Sequence, residues 1–267
     1  MRKGTDASSD VSCDVLGRFR AAFYLLLSRA FSREPDWETL NRVKQVSDGL
    51  MEAWELMEMP PDPDVQAGKT LLKTFFSTLL QRDIDGVIEQ LAREYASLFL
   101  GVGPKTVSPC ESVYRSTSGL LNQSALFEVQ QSYHEIGMTK SDQYHEPDDH
   151  IAVELSYMAR LCEMILESAR TEREQALHCL GLQRKFLETH LTRWVPVLSE
   201  RLIASTTSDF YRAIAHLLKG YIGIDSSLID SMNQELNYKS KSRKGRKKAS
   251  IGDDQDTNRR KEVSCTK

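Results

Sequence analysis

The sequence predicts an all-α protein, an irregular bundle of about nine or ten helices. Three observations predict it. Apolar residues recur at i, i+3 and i+4 along most of the chain, no run sustains the alternation of a half-buried strand, and glycine and proline fall where helices would stop.

Phe19, Ala22, Phe23, Leu26, Leu27 and Ala30 form the first amphipathic stripe. A second helix starts after Pro35 and carries Trp37, Leu40, Val43, Leu50 and Trp54. Three prolines between Met59 and Asp64 make a loop. Leu71, Leu72, Phe75, Phe76, Leu79 and Leu80 give the next face. Val87, Leu91, Tyr95, Leu98 and Phe99 give another, closed by Gly101. Residues 101–109 form a loop, 118–136 a helix and 137–146 a polar connection. Helices then follow over 151–168, 174–191, 194–203 and 210–222. Residues 1–14 are expected to be a flexible lead-in and 15–225 the folded domain.

The 267 residues are enough to bury a sizeable core. Cys13, Cys110, Cys162, Cys179 and Cys265 show no paired spacing, which argues against a disulfide framework or a structural zinc site. The first apolar run, Ala21 to Leu27, is too short for an ordinary signal peptide, and no run is long enough to span a membrane. The expected location is the cytoplasm. Residues 239–267 carry 11 Lys/Arg against 4 Asp/Glu, a net of +7; with −3 overall, residues 1–238 carry −10. The basic segment has almost no large apolar side chain and is expected to be a disordered tail. The acidic body favours basic partners and disfavours nucleic acid.

The densest chemistry lies at Glu146-Pro147-Asp148-Asp149-His150, which runs directly into the apolar-periodic segment from Ile151. Pro147 suits a first helical position, the two aspartates suit a first turn, and His150 and Glu154 share a face. The segment is a heavily capped helix start or a polar site built on one. His145, Asp149, His150 and Glu154 have metal-binding side chains, and a metal-dependent enzyme is one alternative; no Glu-x-x-His motif supports it. A second alternative is a nucleic-acid adaptor acting through the basic tail. Gly101-Val-Gly-Pro-Lys-Thr106 is not a phosphate loop, because Pro104 interrupts the pattern and a helix precedes it. Cys110 is the single thiol beside a candidate functional loop.

Three segments in register resemble the TorD/DmsD/NarJ family of redox-enzyme maturation chaperones. They are Glu94-Tyr95-Ala-Ser-Leu98-Phe99-Leu-Gly101 with Pro109-Cys-Glu111-Ser112-Val113-Tyr114, then Glu146-Pro147-Asp148-Asp149-His150-Ile151 with Glu154-Leu155, then Phe186-Leu187-Glu-Thr-His190-Leu191-Thr-Arg-Trp194-Val-Pro196 with Phe210-Tyr211. The resemblance covers roughly residues 15–225. It implies an all-helical cytoplasmic chaperone of two helical halves, with a hinge near 138–150 that includes the Glu146–His150 segment, and not an enzyme. The implied partner is the molybdopterin-containing catalytic subunit of an oxidoreductase, bound through its twin-arginine leader or its body until cofactor insertion is complete and Tat export can proceed. It further implies no resident cofactor, weak GTP binding and a homodimer in some members.

The peptide-binding positions that the resemblance implies are Tyr95, Leu98, Phe99, Glu111, Ser112, Tyr114, Glu146, Pro147, Asp149 and His150, with Glu154 added from the shared helical face. Carboxylates at Glu111, Asp149 and Glu154 could receive leader arginines. An apolar groove of Tyr95, Leu98, Phe99 and Tyr114 would take the following stretch. His150, near mid-titration at neutral pH, would tune the site. The residue at Cys110 and the tail after Tyr238 depart from the family pattern.

Overall fold

The computed structural model describes residues 6–262 apart from 80, 103–105, 116–122, 142–143 and 170, with side chains from Asp14 to Tyr238. Ten α-helices account for the described fold: α1 (Asp6–Ser32), α2 (Trp37–Leu56), α3 (Pro63–Leu79), α4 (Ile84–Phe99), α5 (Glu111–Arg115), α6 (Gln123–Glu135), α7 (Ile151–Ser168), α8 (Arg173–Phe186), α9 (Thr192–Ser205) and α10 (Asp209–Glu262). A π-helical turn, Leu187–Leu191, joins α8 to α9 without a break. Among the described residues the one β-type pairing is an isolated bridge between Cys110 and His150.

The predicted apolar faces are the buried ones except at Trp37, which is exposed, and at Ala22 and Leu71, which are half-buried. Phe19, Phe23, Leu26, Leu27 and Ala30 of α1 lie in the core with Tyr221 and Ile222 of α10, and Phe23 stacks on Tyr221 at 4.0 Å. α1 lies along α7, α3 along α10, and α9 against α10. Helices from either side of the 138–150 connection therefore interleave. The largest polar element of the core is Arg20, fully buried, whose Nε and Nη2 donate to the two Asp225 oxygens at 2.7 and 2.8 Å. Its Nη1 donates to Gln183 Oε1 at 2.9 Å, and Tyr24 donates to Asp225 at 2.6 Å. Helices from three parts of the chain are thus cross-linked by one bidentate ion pair.

Local chemistry moves several boundaries. Helix α1 begins at Asp6, inside the segment expected to be flexible. Pro63 is the first residue of α3 rather than part of the loop, because Asp62 Oδ1 accepts the Val65 N–H and supplies the cap. The expected Leu80, the start of the helix at 118 and the Pro104–Lys105 loop lie outside the described residues. Helix α10 continues past the expected Ile222. Its turns bury Leu228, Ile229, Met232 and Leu236, and Arg173 holds the Leu236 carbonyl at 2.8 Å. From Lys239 the α10 backbone runs on through the tail, whose composition remains that of a segment the bundle does not order. With no apolar stripe to bury, that stretch draws on propagation from the anchored turns, not on burial.

Candidate functional site

The site is assembled where two loops cross. The segment before α5 pairs with the segment before α7: Glu111 N–H donates to the Asp149 carbonyl at 3.0 Å, and Ile151 N–H to the Pro109 carbonyl at 2.8 Å. That pairing needs extended backbone at His150 (φ −73°, ψ 135°), so helix α7 cannot begin at Pro147 as the sequence suggests. Pro147 to His150 form a turn closed by His150 N–H on the Pro147 carbonyl. The acidic segment then caps two helices. Asp149 Oδ2 accepts the Ser112 N–H of α5 at 2.8 Å, and His150 Nδ1 accepts the Ala152 N–H of α7 at 3.1 Å.

Three carboxylates converge beneath this crossing, Glu111 and Glu154 fully buried and Asp149 nearly so. Glu111 is hydrogen-bonded with His190 Nδ1, 2.8 Å from Oε2, and its Oε1 accepts Arg115 Nη1 at 3.1 Å. Arg115 Nη1 also donates to Glu128 on α6 at 2.9 Å. Glu154 Oε2 accepts the indole N–H of Trp194 at 3.2 Å. Burial, and then the neighbouring Glu111, push the Glu154 carboxyl well above its usual range. Asp149 Oδ1, Glu154 Oε1 and Ser112 Oγ have no protein partner. One wall is Tyr114, half-buried, its ring 5.3 Å from Trp194 and its hydroxyl donating to the Ser108 carbonyl; Arg201 lies over its face at 5.0 Å. Tyr144 contacts His150 Nδ1 at 3.3 Å, and Lys140 pairs with Asp148 at 3.0 Å.

The structure brings Glu111, Ser112, Asp149, His150, Glu154 and Tyr114 together, and it corrects the roles read for others. Tyr95, Leu98 and Phe99 are core residues, not groove: Tyr95 donates to the Phe31 carbonyl at 3.1 Å, and Phe99 meets Phe31 edge-on. A large side chain on the inner stripe of a helix is claimed by the bundle. Glu146 is half-buried, its carbonyl accepting from Lys140, and Pro147 is exposed. His150 is not near mid-titration, because burial and then Lys140 push its imidazole down to about 4. Cys110 is no nucleophile at neutral pH, since burial and then Asp149 push its thiol up to about 12. His145 stays exposed while Asp149, His150 and Glu154 are buried, and among the described residues no three such side chains are arranged to hold a metal.

Sequence reasoning did not single out Arg115, and it quoted His190 and Trp194 within the third segment without giving them the role of completing the site. The π-turn aims His190 at Glu111, and π-turns favour functional sites. The available signal was the third segment, in which His190 and Trp194 stand four apart.

The chain is similar to proteins of one known family. Residues 60–200 match the protein family described as nitrate reductase delta subunit. The chaperone protein TorD of Vibrio cholerae serotype O1 (El Tor Inaba) is 30% identical over 228 residues, covering 83% of this chain and 96% of that protein. The chaperone protein TorD of Vibrio atlanticus is 28% identical over 216 residues, 79% of this chain and 94% of its own. That of Photobacterium profundum is 28% identical over 167 residues, 62% and 76% of the two chains.

Proposed function

From the premise that this chain belongs to the TorD/DmsD/NarJ family of redox-enzyme maturation chaperones, we propose that it binds the twin-arginine leader of a molybdopterin-containing oxidoreductase subunit in the cytoplasm. Its role is that of a chaperone and not of an enzyme. It holds the client until the cofactor is inserted, and only then releases it to Tat export. Among the described residues no helix is long and apolar enough to cross a membrane.

The observation that carries the leader reading is the buried convergence of Glu111, Asp149 and Glu154. Each of these carboxylates is costly to remove from water, and replacing such buried groups by apolar ones often stabilises a scaffold. The convergence is understandable if the site must attract and seat guanidinium groups. Tyr114, half-buried at the rim, and the exposed Leu100, Val102 and Phe127 offer apolar surface for the stretch that follows the arginines. The net −10 of residues 1–238 steers a basic peptide inward.

The test is fluorescence anisotropy of a labelled leader peptide from the cognate subunit. Glu111→Gln is expected to weaken binding about tenfold, the worth of one charge-assisted bond, and twin-Lys leader to bind more weakly than twin-Arg. Equal affinity of both leaders, together with no effect of Glu111→Gln, removes the assignment. Weak GTP binding and a homodimer belong to the same reading and are read out by calorimetry and light scattering.

A further inference from the structure

Arg115 is the last residue of a five-residue helix, and its guanidinium already sits between two carboxylates. We propose that Arg115 is an internal stand-in for an incoming guanidinium: Glu111 and Glu128 form a guanidinium subsite that the chain fills with its own arginine, and a basic peptide binds by displacing it. This rests on the leader-binding reading above and names the subsite within it.

The geometry of the contact carries the inference. Both bonds come from one nitrogen, Nη1, at 3.1 Å to Glu111 Oε1 and 2.9 Å to Glu128 Oε2. Among the described residues the two-pronged fork that makes arginine–carboxylate pairs strong is therefore unused. A peptide arginine arriving from solvent can present two nitrogens to the same pair, so exchange gains hydrogen bonds. The walls suit exchange as well. Glu111 is fully buried and pinned from its far side by His190 at 2.8 Å, so it stays in place when Arg115 leaves. The Glu128 side chain is 44% exposed and that of Arg115 21%, so the subsite opens to water at the α6 side. Glu128 follows the exposed Phe127 directly in the chain. The competing account is an ordinary i, i+4 pair steadying a short helix, worth a few tenths of a kcal/mol.

Two measurements separate these accounts. The first is thermal unfolding of R115A and R115Q in the full chain, with millimolar ethylguanidinium or ethylammonium as the probe. A true subsite gives a rise in Tm with ethylguanidinium that exceeds the rise with ethylammonium, is absent in wild type, and is abolished by adding E128Q. An equal response of wild type and variants overturns the subsite. The second is leader affinity: R115Q is expected to bind the twin-Arg leader about tenfold tighter than wild type. Unchanged or weaker binding overturns displacement. If the leader binds neither protein, the leader reading fails and displacement with it, while the ethylguanidinium arm still decides whether the subsite exists.

Discussion

His150 and Glu154 lie four apart on one face and answer pH with opposite signs. The folded-state pKa of His150 is depressed, from 6.5 to about 4, by burial and then by Lys140. As pH falls below 6.5 the unfolded chain takes up a proton that the folded chain refuses. Stability present above 6.5 is therefore lost toward about 4, by up to roughly 3 kcal/mol. His150→Asn keeps a capping acceptor for Ala152 and removes the titration. Relative to wild type, its urea-unfolding free energy should improve steadily as pH falls through that window; a flat difference would refute the assignment. Glu154 runs the other way, its folded-state pKa raised well above 4.5. That contribution is complete below 4.5 and declines as pH rises. Glu154→Gln should thus become progressively more favourable above 4.5, provided the Trp194 bond survives, which near-ultraviolet circular dichroism reports. The shared face was legible from spacing alone. Glu111 entered the site only through the family resemblance, because nothing local says that it folds against Asp149.

Apolar stripes on the longer helices were legible because a period of 3.6 needs several turns to declare itself. Five-residue α5 offers a single turn, and the π-turn at Leu187–Leu191 inserts an extra residue that helical counting absorbs without trace. What positions α3 is a close approach that the stripes also conceal. A Cβ on Gly220 of α10 would meet the Val65 backbone nitrogen at 2.8 Å and the Asp62 carboxylate that caps α3. Gly→Ala inside a helix ordinarily gains about 1 kcal/mol. Here the obstructing atom is backbone at a helix start, so overpacking should win and Gly220→Ala should lose roughly 1–3 kcal/mol in urea. Gly223, three residues on in the same helix, has open space at its Cβ, and Gly223→Ala is the matched control expected to stabilise. If both substitutions stabilise, the α3–α10 contact is not tight.

At the scale of the whole molecule the question is where the folded unit ends. Composition puts a boundary near Tyr238, and Leu236 is the last residue of α10 described as buried. Ending the chain after Tyr238 removes a net charge of +7 and no described core contact. Its unfolding free energy should stay within about 0.5 kcal/mol of the full chain. Ending after Ile224 is a different experiment. It strips Leu228, Ile229, Met232 and Leu236 from the core and takes Asp225 from Arg20, leaving a fully buried guanidinium without its carboxylate. Loss of one partner of a buried pair costs about 3–5 kcal/mol, a large part of the roughly 5–15 kcal/mol that holds a domain together. That truncation should not fold, as far-ultraviolet circular dichroism would report. The milder truncation, after Tyr238, also divides the two functional readings. A chaperone working through the Glu111–Glu154 site should bind its leader as tightly at −10 as the full chain does at −3, or slightly faster at low salt as the basic segment is removed. An adaptor working through the tail should instead lose salt-sensitive nucleic-acid binding altogether with residues 239–267. Leader affinity retained with nucleic-acid affinity lost would assign the tail a separate and dispensable role, because the charge it carries lies beyond the last turn that the bundle anchors.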